Sequence, residues 1–349
     1  MIVSRTPYRI SFFGGGTDYP AWYRKHGGAV LTCTFDSYCY VTCRFLPPFF
    51  EHKNRIVWSK IELTNSIDEI EMPVVAAALK YLNVRNGVEI HHIGDLPARS
   101  GLGSSSSFAV GVLNALRRME GQDSGAMELA KDAIYLEQKL MQESVGIQDQ
   151  IQTAHGGLNK ITFDADDRIE VSPLNLSNER LEEFNDHLML FYTGVSRNAT
   201  DIAKHKIANI PNKQDELRAM QEMVDEGVNI LEGHGDITEF GKLLDESWKL
   251  KRSLSAKIAP EFVNEIYETA LKSGAYGGKL LGAGGGGFIL FFVDPARRQE
   301  ILDALEVLLW VPVTIEFEGA KILFDKEPRF SATSHMKREF MRRGFNSHK

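Results

Sequence analysis

The side chains best suited to chemistry fall in a few short segments. Asp95-Leu96-Pro97-Ala98-Arg99-Ser100-Gly101-Leu102-Gly103 runs directly into Ser104-Ser105-Ser106-Ser107, between an alternating apolar stretch and a helical pattern. Gly101 and Gly103 let the backbone fold tightly, and the four serines occupy the first turn of the helix. Free N–H groups and the positive end of the helix dipole make such a turn an anion site, with phosphate the usual occupant. Serine hydroxyls add donors and can ligate magnesium. A Ser-rich cap without a ligand is the plain alternative, but four serines exceed what one cap uses. The loop is not a Walker A motif, because no lysine follows its glycines at the required place.

Two carboxylates follow. Glu137 lies three residues from Ile134 and Leu140 and four from Ala133 and Met141, so it projects from the apolar stripe of the next helix. A carboxylate there is costly unless a cation or metal faces it; a Glu at the stripe's edge that reaches solvent is the competing reading. Asp149 comes twelve residues later, past Gly146, which marks a break in the helix. One metal-ready acid and one acid near a helix start suit phosphoryl transfer, the second acting as base or orienting group. Near the amino terminus, Gly14-Gly15-Gly16-Thr17-Asp18-Tyr19 follows a strand. Asp18 can accept hydrogen bonds from sugar hydroxyls, or it can simply close an Asx-turn. Glycine also fills five of the six positions 282–287, directly before the apolar run that starts at Phe288. Such a stretch packs backbone against a ligand or against the serine loop, unless it is only a flexible hairpin.

The elements that carry these segments are legible from periodicity. Residues 29–45 alternate as one or two strands, and Val88, Ile90 and His92 form a short strand ending at Asp95-Leu96-Pro97. Phe108, Val112, Leu113, Leu116 and Met119 space a helix that Gly121 stops. A second helix is expected over 126–142, with Ala130, Ala133, Ile134, Leu140 and Met141 as its stripe. A strand follows at 186–192 and the turn Thr193-Gly194 ends it. Polar helices are expected over 199–232, 236–254 and 261–273. A buried strand over 288–293, a helix over 295–308 and strands at 312–318 and 320–324 complete the pattern. Trp58 lies in a stretch, 46–66, read as a loop region. A composition shift near 165–185 suggests a boundary, giving parts 1–180 and 181–349. The basic tail from Lys337 reads as a helix end and a frayed terminus.

The 349 residues carry 40 Lys+Arg and 47 Asp+Glu, a net charge of −7, with 43% hydrophobic residues. Wholesale disorder is excluded, and nothing in the charge draws nucleic acid or an anionic membrane. No apolar run reaches the roughly 18 residues that span a bilayer, and no secretory signal is evident. Cys33, Cys39 and Cys43 lack a zinc spacing and read as reduced structural thiols. A cytoplasmic location is the expectation.

Taken in order, these segments resemble the GHMP kinase superfamily, which includes galactokinase and the homoserine, mevalonate and phosphomevalonate kinases. Residues 97–105 resemble its Pro-x-x-x-Gly-Leu-Gly-Ser-Ser phosphate loop, and 282–287 its Gly-rich carboxy-terminal motif. The galactokinase branch reads Gly-Glu-His-Thr-Asp-Tyr where this chain has Gly14 to Tyr19, so glycines replace the Glu-His pair. With Gln148-Asp149-Gln150 and Thr193-Gly194-Val195-Ser196-Arg197, that departure looks most like the sugar kinases acting on D-glycero-D-manno-heptose 7-phosphate; L-fucose kinases share much of the pattern.

The resemblance implies an α+β fold of two domains, the first ribosomal-protein-S5-like and the second ferredoxin-like, with ATP and sugar phosphate between them. It implies that Pro97, Ser100, Gly101, Leu102, Gly103, Ser104, Ser105 and Ser106 hold ATP, and that Ser105 and Glu137 hold Mg2+. Asp149 would accept or orient the proton of the anomeric hydroxyl, and Arg5 would stabilise charge on the transferring group. Asp18, Gly16, Thr17, Gly284 and Gly285 would contact the sugar, and Arg197 the substrate's own phosphate. The expected activity is a sugar-1-kinase making heptose 1,7-bisphosphate for nucleotide-activated heptose and surface polysaccharide. The rivals are an L-fucose-type kinase, a non-catalytic galactokinase-like sensor, and a decarboxylase of the mevalonate-diphosphate type. Oligomeric state is left open, a homodimer being one option.

Overall fold

The computed structural model describes residues 1–47, 49–195, 207, 209–255 and 257–326. Its strands are β1 (Ile2–Phe13), β2 (Gly28–Phe45), β3 (Asn54–Val57), β4 (Ile61–Thr64), β5 (Val88–Gly94), β6 (Leu158–Phe163) and β7 (Ile169–Pro173). β8 (Leu188–Tyr192), β9 (Ala275–Leu280), β10 (Phe288–Val293), β11 (Leu309–Val311), β12 (Ile315–Glu316) and β13 (Lys321–Asp325) follow. The helices that bear on the site are α1 (Pro20–His26), α2 (Pro73–Tyr81), α3 (Ser104–Met119), α4 (Ala126–Tyr135), α5 (Gln148–His155) and α6 (Asn178–His187). α7 (Gln214–Glu232), α8 (Thr238–Ser253), α9 (Glu261–Lys272) and α10 (Arg298–Ala304) complete the set.

The first sheet is built on β2, whose 18 residues make it long enough to serve several partners. β1 runs antiparallel along most of it, with Ile10 opposite Cys33 and Arg5 opposite Tyr40. β6 pairs with its first third and β5 with its last, and β3 and β4 extend the sheet beyond β5. The first eight residues of β2 are all buried, while burial alternates from Ser37 onward, so only the first part is covered on both faces. α3 packs on β1 and β2 and is itself buried over most of its length. The chain returns to this sheet at its far end, where β12 pairs with β2 and β13 with β1.

The second sheet is antiparallel in the order β11-β8-β10-β9, covered by α8 and α9. β10 is Phe-Ile-Leu-Phe-Phe-Val, buried at all six positions, which is why it reads as an unbroken apolar run. An aromatic cluster joins the two halves. The Phe12 ring of β1 meets Phe184 at 5.5 Å and Phe240 at 5.4 Å, both edge-on, and Phe184 reaches Phe292 of β10 at 5.9 Å. Such pairs each add about 0.5–1.5 kcal/mol beyond area burial.

This arrangement, with its two sheets and their covering helices, agrees with the α+β class expected above. Several boundaries differ. The strand expected from 186 begins at Leu188, because α6 continues through His187. The helix expected over 295–308 is a 3-10 turn, Pro295–Arg297, followed by the short α10. Residues 305–308 turn into β11, and the strand expected over 312–318 shrinks to β12. Part of 46–66, read as a loop, is the β3–β4 hairpin. Trp58 sits at that hairpin's turn, where its indole N–H donates to Glu62 Oε1 at 2.6 Å. The three cysteines are buried and free of disulfides, and Cys43 Sγ lies 3.4 Å from Met119 Sδ. Among the described residues no helix is long and apolar enough to cross a membrane.

Candidate active site

The serine turn is held open by glycine. Gly101 and Gly103 have φ of 89° and 72°, the left-handed region that a side chain disfavours. α3 starts at Ser104, so the N–H groups of Ser104, Ser105 and Ser106 precede the first intrahelical bond, which Ser107 N–H makes to Gly103 O at 2.8 Å. The glycine-rich turn after β9 presses on the same loop. A Cβ on Gly101 would lie 2.6 Å from the Leu281 carbonyl oxygen, and one on Gly287 would lie 2.2 Å from the Ser100 carbonyl oxygen. Phe288 N–H donates to Ser100 O at 3.1 Å. The glycine run is therefore a backbone seat for the serine loop.

Glu137 reaches this turn from a π-helical segment, Leu136–Leu140, that continues α4. Its Oε1 accepts from Ser105 Oγ at 2.9 Å; its Oε2 accepts from Ser106 Oγ at 2.8 Å and from Gln150 Nε2 at 2.5 Å. The side chain is fully buried, and burial pushes its pKa up to about 7 against the pull of those three donors. All three are neutral, and among the described residues no cation is paired with the carboxylate. The buried face of this helix differs from the expected stripe: Leu129, Ala130, Ala133 and Leu136 line it, while Leu140 is exposed. The π turn shifts the face at its end, and π turns recur at functional sites.

Asp149, in the first turn of α5, is gripped by Arg9 of β1. Arg9 Nε donates to Oδ1 at 2.8 Å and Nη2 to Oδ2 at 2.7 Å, while Nη1 donates to the Gly101 carbonyl at 2.6 Å. A Cβ on Gly103 would stand 3.4 Å from Asp149 Oδ2 and 3.0 Å from Arg9 Cγ. The serine loop and the Arg9–Asp149 fork thus form one surface. Asp18 completes it: Oδ1 accepts from Gly16 N–H at 2.9 Å, and a Cβ on Gly146 would lie 1.8 Å from Oδ2. Only glycine at 146 leaves this carboxylate its place. Beside it the Tyr19 hydroxyl is pushed above its ordinary range by burial and then by the charges of Asp18 and Asp149, with Arg9 opposing. Both acids therefore act on the same phenol.

The structure brings together Ser104, Ser105, Ser106, Gly101, Gly103, Glu137 and Asp149, and it sets other expected residues elsewhere. Arg5, expected at the transferring group, pairs with Glu316 at 3.2 Å and Glu318 at 3.0 Å and lies 4.1 Å from the Tyr38 ring centre. The guanidinium beside Asp149 belongs to Arg9. Thr17 is buried with its hydroxyl engaged by backbone: its single proton lies within reach of Gly14 O and Ala29 O, each at 2.8 Å, and its oxygen accepts from Ala29 N–H at 3.1 Å. Gly284 and Gly285 rest on Ile258, whose carbonyl accepts from Gly285 N–H at 2.8 Å; Gly282 and Gly287 meet the serine loop. Pro97 is exposed at the loop's entry, while Ser100 and Leu102 are buried beneath it. Arg197 lies outside the described residues. Arg9 and Gln150, which bind the carboxylates of Asp149 and Glu137, are the residues that the spacing does not single out. A strand alone does not say which of two arginines four residues apart faces an acid on a distant helix.

Helix-start amides, a buried acid on two serine hydroxyls and a forked acid beside them define a phosphoryl-transfer site. Residues 72–157 match the GHMP kinases N terminal domain, and residues 228–307 match GHMP kinases C terminal. The chain belongs to the GHMP kinases, ATP-dependent phosphotransferases, and is a sugar kinase of that family. It is similar to the D-glycero-alpha-D-manno-heptose 7-phosphate kinase of Campylobacter jejuni, with 30% identity over 321 residues, 87% of this chain and 93% of that one. It is also 28% identical to a bifunctional fucokinase/GDP-fucose pyrophosphorylase of Arabidopsis thaliana over 333 residues, 86% of this chain but 30% of that one. In fold it resembles a D-glycero-D-manno-heptose 1-phosphate kinase from Bacteroides thetaiotaomicron, with TM-score 0.77 and 24% identity, covering 94% of this chain and 100% of that one.

Proposed function

We propose that this chain transfers the γ-phosphoryl group of ATP to the anomeric hydroxyl of D-glycero-D-manno-heptose 7-phosphate. The products are the 1,7-bisphosphate and ADP, a step toward nucleotide-activated heptose and surface polysaccharide in the cytoplasm. The observation that carries the phosphoryl-transfer part is the Arg9–Asp149 fork lying against Gly101 and Gly103 of the serine loop. The 30% identity to the Campylobacter jejuni heptose 7-phosphate kinase supports the choice of sugar.

Each residue then has a defined task. The first-turn amides of α3 bind the phosphates of ATP. Asp149 takes the proton of the anomeric hydroxyl as the new P–O bond forms and the bond to ADP breaks; the fork leaves each carboxylate oxygen a second lone pair for that hydroxyl. Arg9, not Arg5, supplies positive charge where charge develops on the transferring group. Asp18 holds sugar hydroxyls. Glu137 and Ser105 offer the hard oxygens that magnesium takes alongside substrate phosphates, and the unbalanced charge of Glu137 fits that cation. Magnesium bound there supplies neutralisation of phosphate charge. Gly16 backbone closes the turn under Asp18, and Arg197 is proposed to meet the substrate's phosphate.

A panel of heptose 7-phosphate, L-fucose and D-galactose, read by ADP release, tests the assignment. Heptose 7-phosphate should give the highest kcat/KM. A preference for L-fucose would favour the second reading, which the match to the Arabidopsis thaliana protein supports. Sugar binding without ADP release would identify a sensor instead.

A further inference from the structure

Gln150 is polar in a place where packing alone would take an apolar side chain. It lies in the first turn of α5 with no exposed surface, and its Oε1 is buried without a hydrogen-bond partner among the described residues. An unmet buried acceptor costs free energy that a methionine or leucine at this position would avoid. What the amide does is donate: Nε2–H meets Glu137 Oε2 at 2.5 Å.

That one bond decides how the Glu137 carboxylate can be used. Each carboxylate oxygen has two lone-pair sites. Oε2 has both taken, by Ser106 Oγ at 2.8 Å and by Gln150, whereas Oε1 has one taken, by Ser105 Oγ at 2.9 Å. The oxygen with an open site is therefore the one beside Ser105. A lysine or arginine at 150 could make the same bond, but its charge would balance the carboxylate. An amide orders the group and leaves its charge in place. The preceding residue on the same turn is Asp149, held by Arg9, and Thr153 Oγ1 donates to the Asp149 carbonyl at 2.8 Å. One turn of helix thus sets both acids relative to each other.

We propose that Gln150 is a positioning residue: it occupies Glu137 Oε2, so that Oε1, beside Ser105, is the oxygen presented to the magnesium that accompanies ATP. This rests on the functional reading above, in which Glu137 and Ser105 take that cation. Gln150 itself is buried and acts through Glu137.

Gln150→Met keeps the bulk of the side chain and removes the donor. Calorimetry of ATP binding across a magnesium titration, with no sugar present, reads the effect apart from turnover. The magnesium concentration that half-saturates ATP binding should rise about 10–100-fold, the usual cost of losing a group that orients a metal ligand. Magnesium-free ATP affinity and the sugar KM should stay within about twofold. Gln150→Asn, which keeps the amide but falls a methylene short, should behave alike and serves where the methionine variant does not fold. A merely structural role would weaken magnesium-free ATP binding and raise the sugar KM as well. In a Glu137→Gln background, Gln150→Met should add nothing, because the residue it acts through is gone. Additive losses there, or an unchanged half-saturation in the single variants, would overturn the positioning role alone. A wild type whose ATP binding ignores magnesium removes the reading of Glu137 as ligand, and the role of Gln150 falls with it.

Discussion

At the scale of residues, two arginines on one strand separate catalysis from stability. Asp149→Asn keeps the size of the side chain but removes the charge that meets Arg9, so kcat should fall about 10²–10⁴-fold while ATP binding holds; calorimetry and turnover assays read the two quantities. Arg5→Ala should leave kcat within about twofold and lower stability by about 1 kcal/mol, because among the described residues Arg5 pairs with Glu316, Glu318 and the Tyr38 ring and not with the site acids. A large loss of kcat in Arg5→Ala would restore it to the site. Glu137 gives a pH signature. Its folded pKa of about 7 exceeds the ordinary 4.5, so the folded protein holds the proton more tightly than the unfolded chain. The stability this contributes is complete below the unfolded pKa and is lost as pH rises through the folded one. In magnesium-free protein, Glu137→Gln should therefore lose less stability than wild type between about pH 5 and pH 8. Equal slopes in denaturant melts would contradict it.

At the scale of elements, glycine and a π turn set the geometry. Gly101 combines a φ of 89° with the Leu281 carbonyl directly over it, so Gly101→Ala should cost on the order of 1–3 kcal/mol and raise the KM for ATP. Thermal melts and ATP titration check both effects, and an unaltered ATP KM would detach the glycine seat from nucleotide binding. The serine loop, Glu137 and Asp149 were legible in the chain because each depends on local spacing: glycines before a helix start, an acid inside an apolar face, an acid after a helix break. Arg9 was not, since its partner lies 140 residues away and only the packing of α5 on β1 selects it over Arg5. The glycine run at 282–287 was visible, but which glycines meet the serine loop depends on how the turn after β9 folds. The hairpin at 54–64 was missed because its strands are only four residues each.

At the scale of the whole molecule, catalysis depends on two sheets holding fixed positions. Phe12, Phe184, Phe240 and Phe292 join them, and Lys251 ties α8 to the glycine turn through the carbonyls of Leu280 and Gly282, each at 2.7 Å. Phe240→Ala should cost about 3–5 kcal/mol and weaken turnover along with stability, because the glycine seat rides on the second sheet. In the proposed reaction the serine loop, Glu137 and the Arg9–Asp149 fork meet around one phosphoryl group on its way to a sugar's anomeric oxygen, while the second sheet seats the loop. Phosphorus NMR of ATP and heptose 7-phosphate, with wild type beside Asp149→Asn, tests it most directly. Wild type should produce ADP and a new anomeric phosphate resonance together, and the variant neither on the same timescale. ADP without a sugar phosphate, phosphate on another oxygen, or equal rates in the two proteins would contradict the account.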